Sequence, residues 1–124
     1  MIKFKFLLWA LSRLLKRAVN KDPACADYVS AKDLTFQIRT LDGIGRYFII
    51  RNGKINSNSG LTNSPKFTMT FRDAAKGFAI LSAKDSKDAF LTALHRQDLD
   101  ISGDFLEVMW FQGLTEYLKP AKQP

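Results

Sequence analysis

The feature that most narrows the fold is a change of hydrophobic period at Phe71. Upstream of it, Leu34, Phe36 and Ile38 alternate with Thr35, Gln37 and Arg39, and Phe67, Met69 and Phe71 alternate with Lys66, Thr68 and Thr70. A period of two places alternate side chains on opposite faces, so both segments read as strands with one buried face. Arg46 to Arg51 is the return strand, reached through a hairpin turn at Asp42-Gly43 and Gly45, and Asn52-Gly53 signals a second hairpin into Lys54 to Ser57. The polar run SNSGLTNSP is a loop. Downstream, Ala74, Ala75, Phe78 and Leu81 share one side of a helix opening at Arg72-Asp73. A short second helix has Asp85 or Ser86 as its cap and Phe90, Leu91 and Leu94 as its apolar side. Leu99 and Ile101 form a fifth strand closed by Gly103-Asp104. Phe105, Leu106, Met109, Trp110, Gly113, Leu114, Tyr117 and Leu118 then mark an amphipathic helix that ends at Pro120.

The chain opens on a further helix, from Ile2 to Val19, with Phe4, Leu7, Leu8, Leu11, Leu14, Leu15 and Val19 at steps of three and four. Lys3, Lys5, Arg13, Lys16 and Arg17 flank that stripe and Trp9 lies toward its edge, as in helices that lie in a membrane headgroup layer. Two readings stand side by side: membrane contact through Lys3, Lys5, Trp9, Arg13, Lys16 and Arg17, or a helix that covers the domain's own core. The uncharged run from Phe6 to Ser12 is too short to span a bilayer. Arg13, Lys16 and Arg17 follow it at once without a small-residue cleavage site, which weighs against a signal peptide. Asp22-Pro23 breaks the helix, and Asp22 to Ala31 reads as a connection with a short turn. Residues 1–21 thus form a basic amphipathic helix and residues 32–119 the body.

The whole order defines an α+β domain, a five-stranded, mainly antiparallel sheet covered on one face by helices, with an extra N-terminal helix. A length of 124 residues suits one core. The net charge of +7 is concentrated in the first 21 residues, which hold six bases and no acid, whereas the rest sets thirteen bases against twelve acids. A nucleic-acid binder needs positive charge on its folded face, so that reading is disfavoured. One cysteine, Cys25, permits no internal disulfide and fits a reducing, cytoplasmic setting. No Walker loop, GxGxxG, GxSxG or HExxH run is present, and Cys25 and His95 lie far apart in sequence. His95 reads as a helix-surface residue. Asp98, Asp100 and Asp104 read as a solvated strand face plus a helix cap, not a metal or acid-base site. Neither an enzyme site, a metal nor a cofactor is expected.

The segments FTMTFRDAAKGF, DAFLTALHRQDLDISGD and FLEVMWFQGLTEYL resemble the C-terminal half of the sterol carrier protein domain, with Gly103-Asp104 at the family's Gly-Asp position. The hairpin from Leu34 to Ile55 fits its opening strands. Among relatives the chain is similar to short bacterial forms, including ubiquinone-biosynthesis accessory proteins. The resemblance implies a lipid held in an apolar tunnel between sheet and helices: a sterol-like, fatty acyl, phospholipid or prenylated quinone ligand, at or near a membrane surface. The positions implied as its lining are Phe36, Ile38, Phe48, Ile50, Phe67, Met69, Phe71, Phe78, Leu81, Phe90, Leu94, Ile101, Phe105, Met109, Trp110 and Leu114. Expected partners are that lipid or isoprenoid quinone, an anionic membrane surface, and biosynthetic enzymes or a second copy of the chain. The alternative is a protein-interaction module with a solid core whose basic helix docks on a partner or dimerises.

Overall fold

A computed structural model describes residues 2–81 and 86–118, with the backbone alone at Phe78 and Ser86. Asp85 and Pro120, named above as a cap and a helix end, lie outside the described residues. Two helices, α1 (Ile2–Lys21) and α2 (Pro23–Ser30), precede four strands, β1 (Leu34–Thr40), β2 (Gly45–Arg51), β3 (Lys54–Ser59) and β4 (Phe67–Phe71). Then come α3 (Ala74–Leu81), α4 (Ser86–Arg96), β5 (Leu99–Gly103), α5 (Phe105–Thr115) and a short 3-10 turn, Glu116–Leu118.

The strands order as β3-β2-β1-β4-β5. Three neighbouring pairs are antiparallel and the central β1–β4 pair is parallel, so the sheet is mixed but mostly antiparallel. The hairpin turns follow from local chemistry. Asn52 and Gly53 both take positive φ, 55° and 74°, as the primed two-residue turn demands. At the first hairpin Gly43 sits at φ 92° and the Thr40 N–H donates to the Ile44 carbonyl.

Register puts Phe36, Phe48 and Phe67 in one row and Ile38, Met69 and Ile101 in the next, all on the face that the helices cover. The opposite face is mostly polar, with Tyr47, Gln37, Thr68 and Ser102 in one row and Arg39, Thr70 and Asp100 in the next. The loop between β3 and β4 crosses it: the Thr62 N–H donates to Gln37 Oε1 at 2.9 Å while Gln37 Nε2 donates to Thr68 Oγ1 at 3.1 Å. These bonds let a glutamine be buried on that side without an orphaned amide.

Two expectations are corrected. Asp22 to Ala31 is not a connection but a helix. The Asp22 side chain accepts from the Ala24 N–H and Pro23 occupies the first turn, the position where its missing N–H does no harm. Cys25 and Val29 therefore enter the core. Asp98 is no solvated strand residue: its side chain keeps 12% of its exposure and lies 3.7 Å from Arg72 Nη1 and 3.9 Å from Lys76 Nζ. Asp100, by contrast, is exposed and His95 is on the surface.

Candidate functional site

Phe48, Phe36 and Phe67 lie side by side across β2, β1 and β4, their rings stacked at 5.0 and 4.8 Å and within 9° of parallel. Such a platform forms because register brings one aromatic from each strand to the same level on the same face. α5 sets Phe111 on it, 4.9 Å from Phe36 and 6.2 Å from Phe67. Ile38, Ile50, Met69, Phe71 and Leu114 complete the floor and cover, all essentially buried, with Phe90 nearly so. Leu81, Leu94, Ile101 and Trp110 pack partly buried at its margin. Phe105 and Met109, placed by sequence in the lining, are 49% and 44% exposed on the outer side of α5. The Phe78 side chain lies outside what the structure describes.

The start of α5 is fixed by the Gly103-Asp104 pair. Gly103 has φ 103°, and a Cβ there would run into the Lys66 carbonyl and Phe67 Cα, so a residue without a side chain is needed where β5 closes on β4. The Asp104 N–H donates to the Lys66 carbonyl, and its carboxylate accepts from the Leu106 and Glu107 N–H groups as the helix cap. α2 fixes the next turns. Tyr28 stacks on Trp110 at 5.6 Å and 6°, and its hydroxyl donates to the Trp110 carbonyl at 2.7 Å. Burial first, then neighbouring Tyr117, pushes the Tyr28 hydroxyl pKa up, so it remains a donor. Lys32 Nζ lies 5.3 Å from the Trp110 ring centre and 2.6 Å from Glu107 Oε1. The Trp110 indole N–H is buried without an acceptor among the described residues.

α1 covers the other end of the same face. Phe4, Leu8, Ser12 and Leu15 are buried, Phe4 with its ring edge on Phe71 at 6.2 Å and 75°. Ser12 Oγ and Ser57 Oγ are 2.6 Å apart, and Arg46 Nη1 donates to Ser57 Oγ at 2.8 Å. The stripe differs from the one read in the sequence, because Leu14 is 49% exposed while Ser12 faces in. The outward side carries Ile2 (83% exposed), Phe6 (63%) and Trp9, with Lys3, Lys5, Arg13 and Arg17 exposed around them and Lys16 half-buried. Phe6 and Trp9 meet at 5.7 Å, and the Arg13 guanidinium lies 5.7 Å from the Trp9 ring centre.

A groove of about 180 Å³ runs between the end of α1 and β3, lined by Lys16, Val19, Asn20, Lys54, Ile55 and Asn56, none of them an expected lipid residue. No helix among the described residues is long and apolar enough to cross a membrane. No cluster of His, Cys, Asp and Glu among them could hold a metal.

Sequence reasoning missed Val108 and Phe111, the residues α5 turns inward with Leu114. Their spacing of three was visible, but FLEVMWFQGL is apolar on nearly every side, so periodicity selects no single face. It also missed Tyr28, whose helix was read as a connection.

A five-stranded, mostly antiparallel sheet with helices on one face gives the chain the fold of the sterol carrier proteins. It superposes on a UbiJ-SCP2 ubiquinone synthesis protein with a TM-score of 0.68 at 12% identity, covering 94% of this chain and 95% of that one. The sterol carrier protein domain 2 of Helicoverpa armigera gives 0.60 at 14%, over 94% and 92%. A sec-alkylsulfatase, Pisa1 from Pseudomonas sp., gives 0.54 at 20%, over 72% of this chain but 14% of that one, so the fold also occurs as a part of an enzyme. No family model and no curated protein matches the chain.

Proposed function

We propose that this protein binds a lipid, a fatty acyl chain or a prenylated quinone intermediate, against the apolar face of its sheet, and holds or presents it at an anionic membrane surface without catalysing a reaction. The observation that carries this reading is the platform of Phe36, Phe48 and Phe67 with its aliphatic border, in a fold whose solved examples bear the names sterol carrier and ubiquinone synthesis protein. Each methylene removed from water contributes about 0.8 kcal/mol, so a long chain can bind usefully without polar recognition. The Trp110 N–H supplies one donor for a ligand oxygen, on the helix where Met109 can adapt its shape. Native mass spectrometry of gently purified protein, followed by organic extraction, is expected to reveal a stoichiometric lipid. A clean apo mass and no uptake of added fatty acid or quinone would sink the reading.

Membrane contact is assigned to the outward side of α1, where Phe6 and Trp9 supply apolar area and Lys3, Lys5, Arg13 and Arg17 supply charge. Truncating α1 would also strip Phe4, Leu8 and Leu15 from the core, so the test is Phe6→Glu with Trp9→Glu. Vesicle co-sedimentation is expected to fall by roughly tenfold or more. Binding that stays unchanged would remove the membrane from the proposal and leave the lipid site.

A second reading has one observation in its favour. Phe36, Phe48, Phe67, Met69 and Phe71 are 0 to 1% exposed, as in a solid core, which suits a protein-interaction module. The apo outcome above is the one it expects.

A further inference from the structure

The same full burial raises the question of where a lipid chain would go. It cannot share the space with side chains that already fill it, so a covering element must withdraw. α5 is ill suited to withdraw, because a carboxylate cap, a 2.6 Å ion pair and a tyrosine hydroxyl fix its first two turns. α1 differs. Its middle is tied to the sheet by the Ser12–Ser57 hydroxyl pair, backed by Arg46, a small polar contact within an apolar seam. Its seat on α3 exists because Gly77 has no side chain: a Cβ there would come within 2.5 Å of Phe4 Cε1.

We propose that α1 is a displaceable plug: it covers the end of the apolar sheet face beside the aromatic platform, from Phe71 to Ser57, latched by Ser12 and Ser57, and an anionic membrane draws it out so that a lipid chain can enter along the sheet to the platform. This rests on the lipid reading above. The driving force follows from the two sides of the helix. Docked on the sheet, α1 leaves Ile2, Phe6 and Trp9 in water. Released into a lipid surface, it can bury those residues and keep Phe4, Leu8 and Leu15 out of water as well. A membrane therefore binds the released helix better than the docked one, which is the condition for shifting the equilibrium between them.

Hydroxyls 2.6 Å apart bring cysteines at the same positions within disulfide reach. Cys25 is buried, and burial foremost, with Asp22 second, pushes its thiol pKa up, so it competes poorly with the engineered pair. The experiment follows transfer of a pyrene-labelled fatty acid from phosphatidylcholine/phosphatidylglycerol vesicles to Ser12→Cys/Ser57→Cys. The oxidised protein is expected to load at least about tenfold more slowly than the same protein reduced, while both sediment with the vesicles. Gly77→Ala, which crowds Phe4 out of its seat, is expected to load faster than the parent. Equal loading by the oxidised and reduced forms overturns the plug and leaves the lipid site standing. No loading by the parent or the reduced form overturns the lipid reading and the plug together. If the pair fails to close, Ser57→Cys alone serves. Its modification by a membrane-impermeant maleimide is expected to speed up by about tenfold when vesicles are added, and an unchanged rate overturns the plug.

Discussion

α1 and α5 cover the same face of the sheet and are held there by different kinds of force. α5 is placed by directional contacts: the Asp104 cap, the Lys32–Glu107 pair, the Tyr28 hydroxyl on the Trp110 carbonyl, and Phe111 over Phe36 and Phe67. α1 has no acid in its first turn and a buried side that is apolar except for Ser12. Directional contacts fix one geometry, whereas apolar burial is nearly indifferent to which apolar surface supplies it. One end of the cover is thus specified by position and the other by environment.

The sharpest way to break that comparison is to remove the same side chain from each end. Phe111→Ala leaves a hole over the aromatic platform and is expected to lower unfolding stability by about 3–5 kcal/mol in denaturant titrations. Phe4→Ala removes an equally buried ring from α1. Its loss is expected at the low end, about 3 kcal/mol, with faster tryptic cleavage at Lys16 and Arg17 while the body stays folded. If the two variants lose equal stability and neither gains local cleavage, α1 and α5 form one cooperative cover and the contrast fails.

Much of this architecture was legible in the residues, and the failures share a cause. The strands could be read because β1 and β4 alternate strictly and because Asn52-Gly53 prescribes a turn of one hand. The Asp104 cap and the glycine before it were legible as a motif, although the reason for Gly103, its approach to the Lys66 carbonyl, is tertiary. Asp22-Pro23 was read as a stop when it is equally a start, since the same pair that ends α1 caps α2. The stripe of α1 was legible at Phe4, Leu8, Leu11, Leu15 and Val19, and that of α5 at Leu114, but neither face was drawn fully, because both helices are apolar on more than one side. Periodicity can name a face only where the opposite side is polar. Hence Leu14 was placed inward and Phe111 overlooked. Asp98 escaped because its partners, Arg72 and Lys76, come from a helix start that only the fold brings near.

The entry to α5 offers an intermediate test. Gly103→Ala forces a side chain into positive φ against backbone and is expected to destabilise by roughly 1–3 kcal/mol. Asp104→Ala removes the cap and is expected to be milder, about 1 kcal/mol. Thermal melts of both variants check the order. If Asp104→Ala proved the costlier, the helix cap and not the close approach of β5 to β4 would be what sets α5 in place.

The smallest expected effect compares two ion pairs that a list of charges would treat alike. Arg51 Nε and Asp33 Oδ1 are 3.4 Å apart with both side chains more than 60% exposed, so Arg51→Ala should change stability by less than about 0.5 kcal/mol. Lys32 and Glu107 are closer, at 2.6 Å, and mostly covered, with side chains 30% and 19% exposed. Their bond is charge-assisted and joins the chain between α2 and β1 to α5, so Lys32→Met is expected to lose about 1 kcal/mol. Added salt should shrink the loss from Lys32→Met only slightly, because a covered pair is weakly screened. A loss for Lys32→Met that vanished at high salt would mean that the pair behaves as a surface contact. The hold on α5 would then rest on Asp104, Tyr28 and Phe111 alone.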